Sequence, residues 1–140
     1  MKEHFSEYES VPFIEKEGIF KFTVKSAELK ESSKGEPMVV LEVESDEGKS
    51  ILRHSLTAKA RWSYNNLIKA CLNLDTKKKI DDFECDYELI HLELIGKQFM
   101  GKVQRDQYTK VVKKPTEDGI FENVDEVRDS YKIVSYDFVR

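Results

Sequence analysis

Glycine and proline are scarce in this sequence, six and three among 140 residues. That excludes a linker-like or low-complexity chain. Cysteine is scarcer still, with Cys71 and Cys85 as the full complement. Two thiols at that spacing form neither a metal-binding pair nor a disulfide framework. Both read as ordinary reduced cysteines, Cys71 in the core. His4, His54 and His91 stand at no metal-ligand spacing from either cysteine. No apolar run approaches the ~20 residues that cross a bilayer. The opening MKEHFSEYES lacks the apolar segment of a secretory signal. A cytoplasmic protein with no membrane partner is expected. No Gly-x-x-x-x-Gly-Lys-Ser/Thr loop, Gly-x-Gly-x-x-Gly fingerprint or Gly-x-Ser-x-Gly elbow is present. The expectation is a protein that is not an enzyme and takes no cofactor and no metal. Asp81, Asp82 and Glu84 come closest to a cation cluster, but without a second cluster they read as a solvated connector.

Eight Phe, six Tyr, one Trp and a 39% hydrophobic content supply a real core. The net charge of −4 argues mildly against nucleic acid, but its distribution argues otherwise. Lys49 to Leu74 contains no Asp or Glu, while it carries Lys49, Arg53, Lys59, Arg61 and Lys69. Lys97 to Lys114 holds six cations against the single acid Asp106. The acids lie between these stretches and after them. A weakly acidic chain can therefore present a basic face, although scattered charges on a solvated surface would read the same way.

Residues 1–17 read as a polar arm that docks through Phe13 and Ile14, and residues 18–140 as one domain. In GIFKFTVKSAEL, Phe20, Phe22 and Val24 alternate with Lys21, Thr23 and Lys25, which marks a strand. After Ser26 the apolar parity shifts to Ala27 and Leu29, as a β-bulge would shift it. Met38–Glu44 and Ser50–Leu56 follow as strands two and three. Tyr64, Leu67, Ile68, Cys71 and Leu72 then mark one helix face. Ser55 or Thr57 is its expected cap, and Trp62 is expected to pack on the barrel end. Thr76–Asp86 reads as a charged connector and Tyr87–Ile95 as a short helix ended by Gly96. QFMGKVQRDQY is strand four, Lys113–Ser130 a long polar loop, and SYKIVSYDFV strand five. Three strands, a helix and two strands predict an all-β fold, a five-stranded OB-fold barrel with its helix between strands three and four.

Three segments carry a family resemblance: EGIFKFTVKSAELKESSKGEPMVVLEVES, LTAKARWSYNNLIKACL and ELIGKQFMGKV. In their order and spacing they resemble a family of small phage and prophage single-stranded-DNA-binding proteins of the OB type. The resemblance covers about two-thirds of the chain. It implies binding of single-stranded DNA in phage replication or recombination, alongside phage replication or recombination proteins, in a bacterial host. Many better-known single-stranded-DNA-binding proteins end in an acidic tail. This chain ends in SYDFVR, inside a predicted strand, so a tail function is not expected.

Single-strand binding needs cations for phosphates and flat faces for bases. The expected geometry of the barrel nominates the residues. Lys30 and Lys34 belong to the loop between strands one and two, and Lys49, Arg53 and His54 to strand three. Lys102 and Arg105 lie on or beyond strand four. Tyr108, Lys110, Lys113 and Lys114 start the loop between strands four and five. Tyr108 is the leading stacking candidate and His54 offers a second flat face. Bland readings stand beside these: hairpin lysines that aid solubility, Lys102 blunting an edge strand, Tyr108 folded onto the barrel. Glu42 and Glu44 put negative charge on strand two and push the groove toward strands three and four. The alternative function is a protein-interaction module that docks onto or inhibits a host factor, with a homodimer through the last strand left open.

Overall fold

The computed structural model describes residues 11–115 and 119–139. The first ten residues of the arm, His4 among them, and Glu117 and Asp118 lie outside the described residues. The alternating segments fold as antiparallel strands: β1 (Gly18–Glu31), β2 (Pro37–Ser45), β3 (Gly48–Ser55), β4 (Gln98–Pro115) and β5 (Phe121–Asp137). They form one sheet in the order β3-β2-β1-β4-β5. Helices α1 (Trp62–Cys71), α2 (Lys77–Asp82) and α3 (Ile90–Leu94) all fall between β3 and β4.

β1 bends to serve two neighbours. Gly18 to Thr23 pair with β4, and Thr23 to Glu31 pair with β2. The register shifts between Val24 and Ser26, which moves the buried set from Phe22 and Val24 to Ala27. This is the bulge that the parity change near Ser26 predicts. A two-residue turn then joins Ser45 to Gly48 and starts β3.

Gly48 has φ 140°, and a Cβ there would stand 2.7 Å from the Ile14 Cα. The arm packs against it: Ile14 is buried, Phe13 bridges to Lys49 in parallel, and Phe13 itself is exposed. Gly48→Ala is therefore expected to unseat the arm and to cost about 2 kcal/mol or more in chemical denaturation. A cost below about 0.5 kcal/mol would contradict this packing.

The helices depart from expectation in detail. α1 buries Tyr64, Leu67, Ile68, Ala70 and Cys71. Neither Ser55 nor Thr57 caps it. Arg61 is the N-cap residue, with no side-chain cap, while the Ser55 and Thr57 hydroxyls bond each other at 2.9 Å. Trp62 does not pack on the barrel end but is 66% exposed. At ~100° per residue it lies across the helix from the Tyr64–Leu67–Cys71 stripe, which takes the inward side. The charged connector contains α2, capped by Thr76 Oγ1 accepting the Lys79 N–H at 3.2 Å. The following helix is shorter than Tyr87–Ile95. Gly96 does end it, and its N–H donates to the Val24 carbonyl at 2.8 Å.

The largest correction concerns 113–130. This segment is not a long loop. β4 continues to Pro115, β5 begins at Phe121, and the two form a long ribbon in register from Arg105 opposite Tyr131 to Pro115 opposite Phe121. Opposite charges face each other across it: Lys110 lies opposite Glu126 and Lys114 opposite Glu122.

The sheet curls until its two outer strands approach each other. A chain of rings crosses from β1 to α1 through that approach. Phe22 stacks on Phe99 with centroids 5.6 Å apart, and Tyr136 meets Phe99 edge-on at 5.4 Å. His54 of β3 then packs between Tyr136 of β5 and Tyr64 of α1, at 5.7 Å from each. Such offset and edge-to-face pairs add about 0.5–1.5 kcal/mol each beyond their burial.

Candidate functional site

The two ends of the sheet order, β3 and β5, meet along a seam with no backbone ladder among the described residues. A side-chain hydrogen bond spans it, 2.7 Å between His54 Nε2 and the Tyr136 hydroxyl. Beside that latch runs a cleft of about 780 Å³. Ile51, Arg53 and Ser55 form one wall, Tyr131, Lys132 and Ile133 the other, and α1 closes the end with Ser63. A second hollow of about 510 Å³ continues it past Phe13 toward Lys49 and Tyr108. The two share Phe13, Ser50, Ser130 and Tyr131, so the groove is continuous.

Strand alternation sets the groove's chemistry. Ser50, Leu52 and His54 point inward and are buried; Lys49, Ile51 and Arg53 point outward. The Lys49 backbone is already used, donating to the Pro12 carbonyl at 2.9 Å and accepting from the Ile14 N–H at 2.9 Å. The Lys49 ammonium lies 4.9 Å from the Phe13 ring centre and 3.7 Å from Glu42. Glu42 is thus partly neutralised, which eases the objection to negative charge on β2. Burial pushes the His54 imidazole down to about 4, so it is neutral near pH 7. Burial likewise raises the Tyr136 hydroxyl and pushes the Cys71 thiol up to about 12, which makes that thiol inert at neutral pH.

Of the residues nominated from sequence, the seam gathers Lys49, Arg53 and Tyr108, with His54 in its floor. His54 is no free stacking face: it is 7% exposed and already stacked on Tyr64. Lys30 and Lys34 do not line the seam. Lys30 belongs to β1 and pairs with Glu28 at 3.4 Å, and Lys34 projects from the turn built on Ser32. Lys102 cannot blunt an edge, because β4 is an inner strand flanked there by Ile19 and Ser135. Arg105, Lys110, Lys113 and Lys114 follow it along the ribbon rather than in a loop. By alternation Lys102 and Lys113 emerge on opposite faces of β4. The second basic stretch is therefore split between two faces.

Phe13, Tyr131 and Lys132 line the groove although sequence reasoning did not nominate them. Their signal was present in the alternation of SYKIV and in the docked arm. It needed the knowledge that β5 faces β3. No helix among the described residues is long and apolar enough to cross a membrane. A scan against protein-family models finds no match for this chain, and a search of the curated proteins finds none either.

Proposed function

We propose that the chain binds single-stranded DNA, without catalysis, along the β3–β5 seam. The observation that carries this reading is the convergence in one groove of Lys49, Arg53 and Lys132 with Phe13, Tyr108 and Tyr131, although Glu15 and Asp129 also line its Phe13 end and Lys132 lies 3.8 Å from Asp106. Cations along a channel meet phosphates, and exposed rings accept unpaired bases. Phe13 and Tyr108 are 57% and 48% exposed, enough to offer a face. In the same reading the sheet is an OB-type barrel. Taken as a circle, the order runs β1-β2-β3-β5-β4, with the β3–β5 join open and the helices between the third and fourth strands. Action in phage replication or recombination belongs to this proposal and rests on the family resemblance.

Fluorescence anisotropy with labelled oligo-dT tests it. Three phosphate contacts give a slope of log affinity against log salt of about −2. The double variant Arg53→Glu/Lys132→Glu should lose about tenfold or more in affinity, while Lys110→Ala/Lys114→Ala changes it less than about twofold. No binding at low salt would end the reading. Full binding by the seam variant would remove the seam as the site.

A second reading is favoured by one observation, the placing of Lys110 and Lys114 opposite the acids Glu126 and Glu122. That leaves the ribbon poorly suited to phosphates and better suited to protein. A protein-docking or host-inhibiting module would show itself as partner capture unaffected by oligonucleotide.

A further inference from the structure

The ribbon of β4 and β5 carries a second interaction surface. β1 leaves β4 at Val103, so from Gln104 onward β4 has no strand on that side among the described residues. The direction of its free backbone groups follows from two bonds. The Arg105 N–H donates to Glu17 Oε1 at 2.9 Å, on the β1 side, and the Gln107 N–H is taken by Asp106 Oδ1 at 2.9 Å. Alternation then aims the N–H and C=O of Thr109, Val111 and Lys113 outward, and on the other edge those of Val127, Asp125 and Asn123. Val111 and Val127 are 60% and 64% exposed and share one face, since Thr109 lies opposite Val127. A lone two-stranded ribbon with bare edges is marginal in water.

The two edges carry opposite charge. From Thr109 to Pro115 β4 holds Lys110, Lys113 and Lys114 and no acid. From Glu122 to Asp129 β5 holds Glu122, Asp125, Glu126 and Asp129 against Arg128. Edge lysines repel a like edge, so pairing of β4 with β4, or β5 with β5, sets like charges side by side. Pairing of β4 with the β5 of a second molecule sets lysines against carboxylates. It also extends the valine stripe, because Val111 then neighbours the second molecule's Val127.

From this geometry we infer that the chain associates with copies of itself head-to-tail, the basic β4 edge of one ribbon adding to the acidic β5 edge of the next. Such an interface is heterologous, so it builds chains or rings and does not stop at a two-fold dimer. It stands independently of the DNA reading and is tested without nucleic acid.

Proline at an outward-facing edge position removes an intermolecular donor and leaves the ribbon's own ladder intact. Val111→Pro therefore disables one edge and Val127→Pro the other. Light scattering should show the wild-type mass rising with concentration beyond a dimer. Association should weaken about tenfold or more as salt rises from about 0.05 to about 0.5 M. Each folded variant alone should stay monomeric, and an equimolar mixture of the two should stop at a dimer. A wild-type protein monomeric throughout, a mass that stops at a dimer, or wild-type association by either variant would overturn the inference. Should a proline unfold the ribbon by circular dichroism, the wild-type concentration and salt series decides in the same terms. Growth beyond a dimer that collapses with salt supports it, and no growth, or growth indifferent to salt, refutes it.

Discussion

Phe22→Ala is expected to destabilise the protein by about 3–5 kcal/mol, a large share of the roughly 5–15 kcal/mol that holds a domain together. Phe22 is fully buried, stacks on Phe99 and starts the ring chain that reaches β5 and β3. Its ring lies where the side chain of residue 101 would be. A Cβ on Gly101 would stand 2.9 Å from both Cδ2 and Cε2 of Phe22. The glycine and the phenylalanine are one packing unit. Gly101→Ala alone should cost about 1–3 kcal/mol through overpacking. In a background of Phe22→Leu, whose side chain leaves that space open, the same alanine should cost at least about 1 kcal/mol less. Urea denaturation of the four proteins of this cycle measures the coupling. Strict additivity would show that the ring and the glycine do not share space, and a Phe22→Ala cost below about 1 kcal/mol would dismiss the ring chain as a structural element.

The first two strands were legible because their inward residues are apolar at every second position. Val39, Leu41 and Val43 mark a strand by their spacing alone, and all three are fully buried. The bulge in β1 was legible for the same reason, since a parity change has few other causes. The ribbon was not legible. Its side chains face water on both sides, so no apolar alternation marks it, and polar content reads as loop. Its register sets Lys110 opposite Glu126 and Val112 opposite Val124. Those partners are distant in sequence and leave no local period. The acidic segment and the second basic stretch are two strands of one hairpin, which sets Lys110 and Lys114 opposite Glu126 and Glu122 and splits the basic face expected from charge runs.

The site was legible in its residue types and not in its assembly. Arg53 and Tyr108 were named as a cation and a ring, and both line the seam, but nothing in the sequence says that β3 faces β5. His54 is the instructive case. Its ring suggested a surface for bases, while its position suggested the opposite: Ser50, Leu52 and His54 share one parity, and that parity points into the core. Strand alternation outranks side-chain character here. Trp62 went the other way, a large ring assumed buried that helical geometry turns outward.

Acid should release the His54 latch. The imidazole is held at about 4 against an ordinary value of 6.5, because burial between Tyr64 and Tyr136 disfavours its charged form. The unfolded chain therefore binds a proton that the folded chain refuses, between about pH 6.5 and about pH 4. Stability rises with pH across that window. The contribution is fully present above about 6.5, is lost as pH falls, and is gone below about 4. Its full size is about 3 kcal/mol. Carboxylates titrate over part of the same range, so the measurement is a difference. In urea titrations at several pH values, wild type minus His54→Gln should shrink by about 3 kcal/mol from pH 7 to pH 4. A difference that stays flat would mean that His54 is solvated in the folded chain and does not close the seam. The neutral state also bears on the groove. At pH 7 the three cations are Lys49, Arg53 and Lys132, and His54 adds no fourth charge. Oligonucleotide affinity should therefore be level between about pH 7 and 8, where a solvated histidine of ordinary pKa would still be losing its last charge.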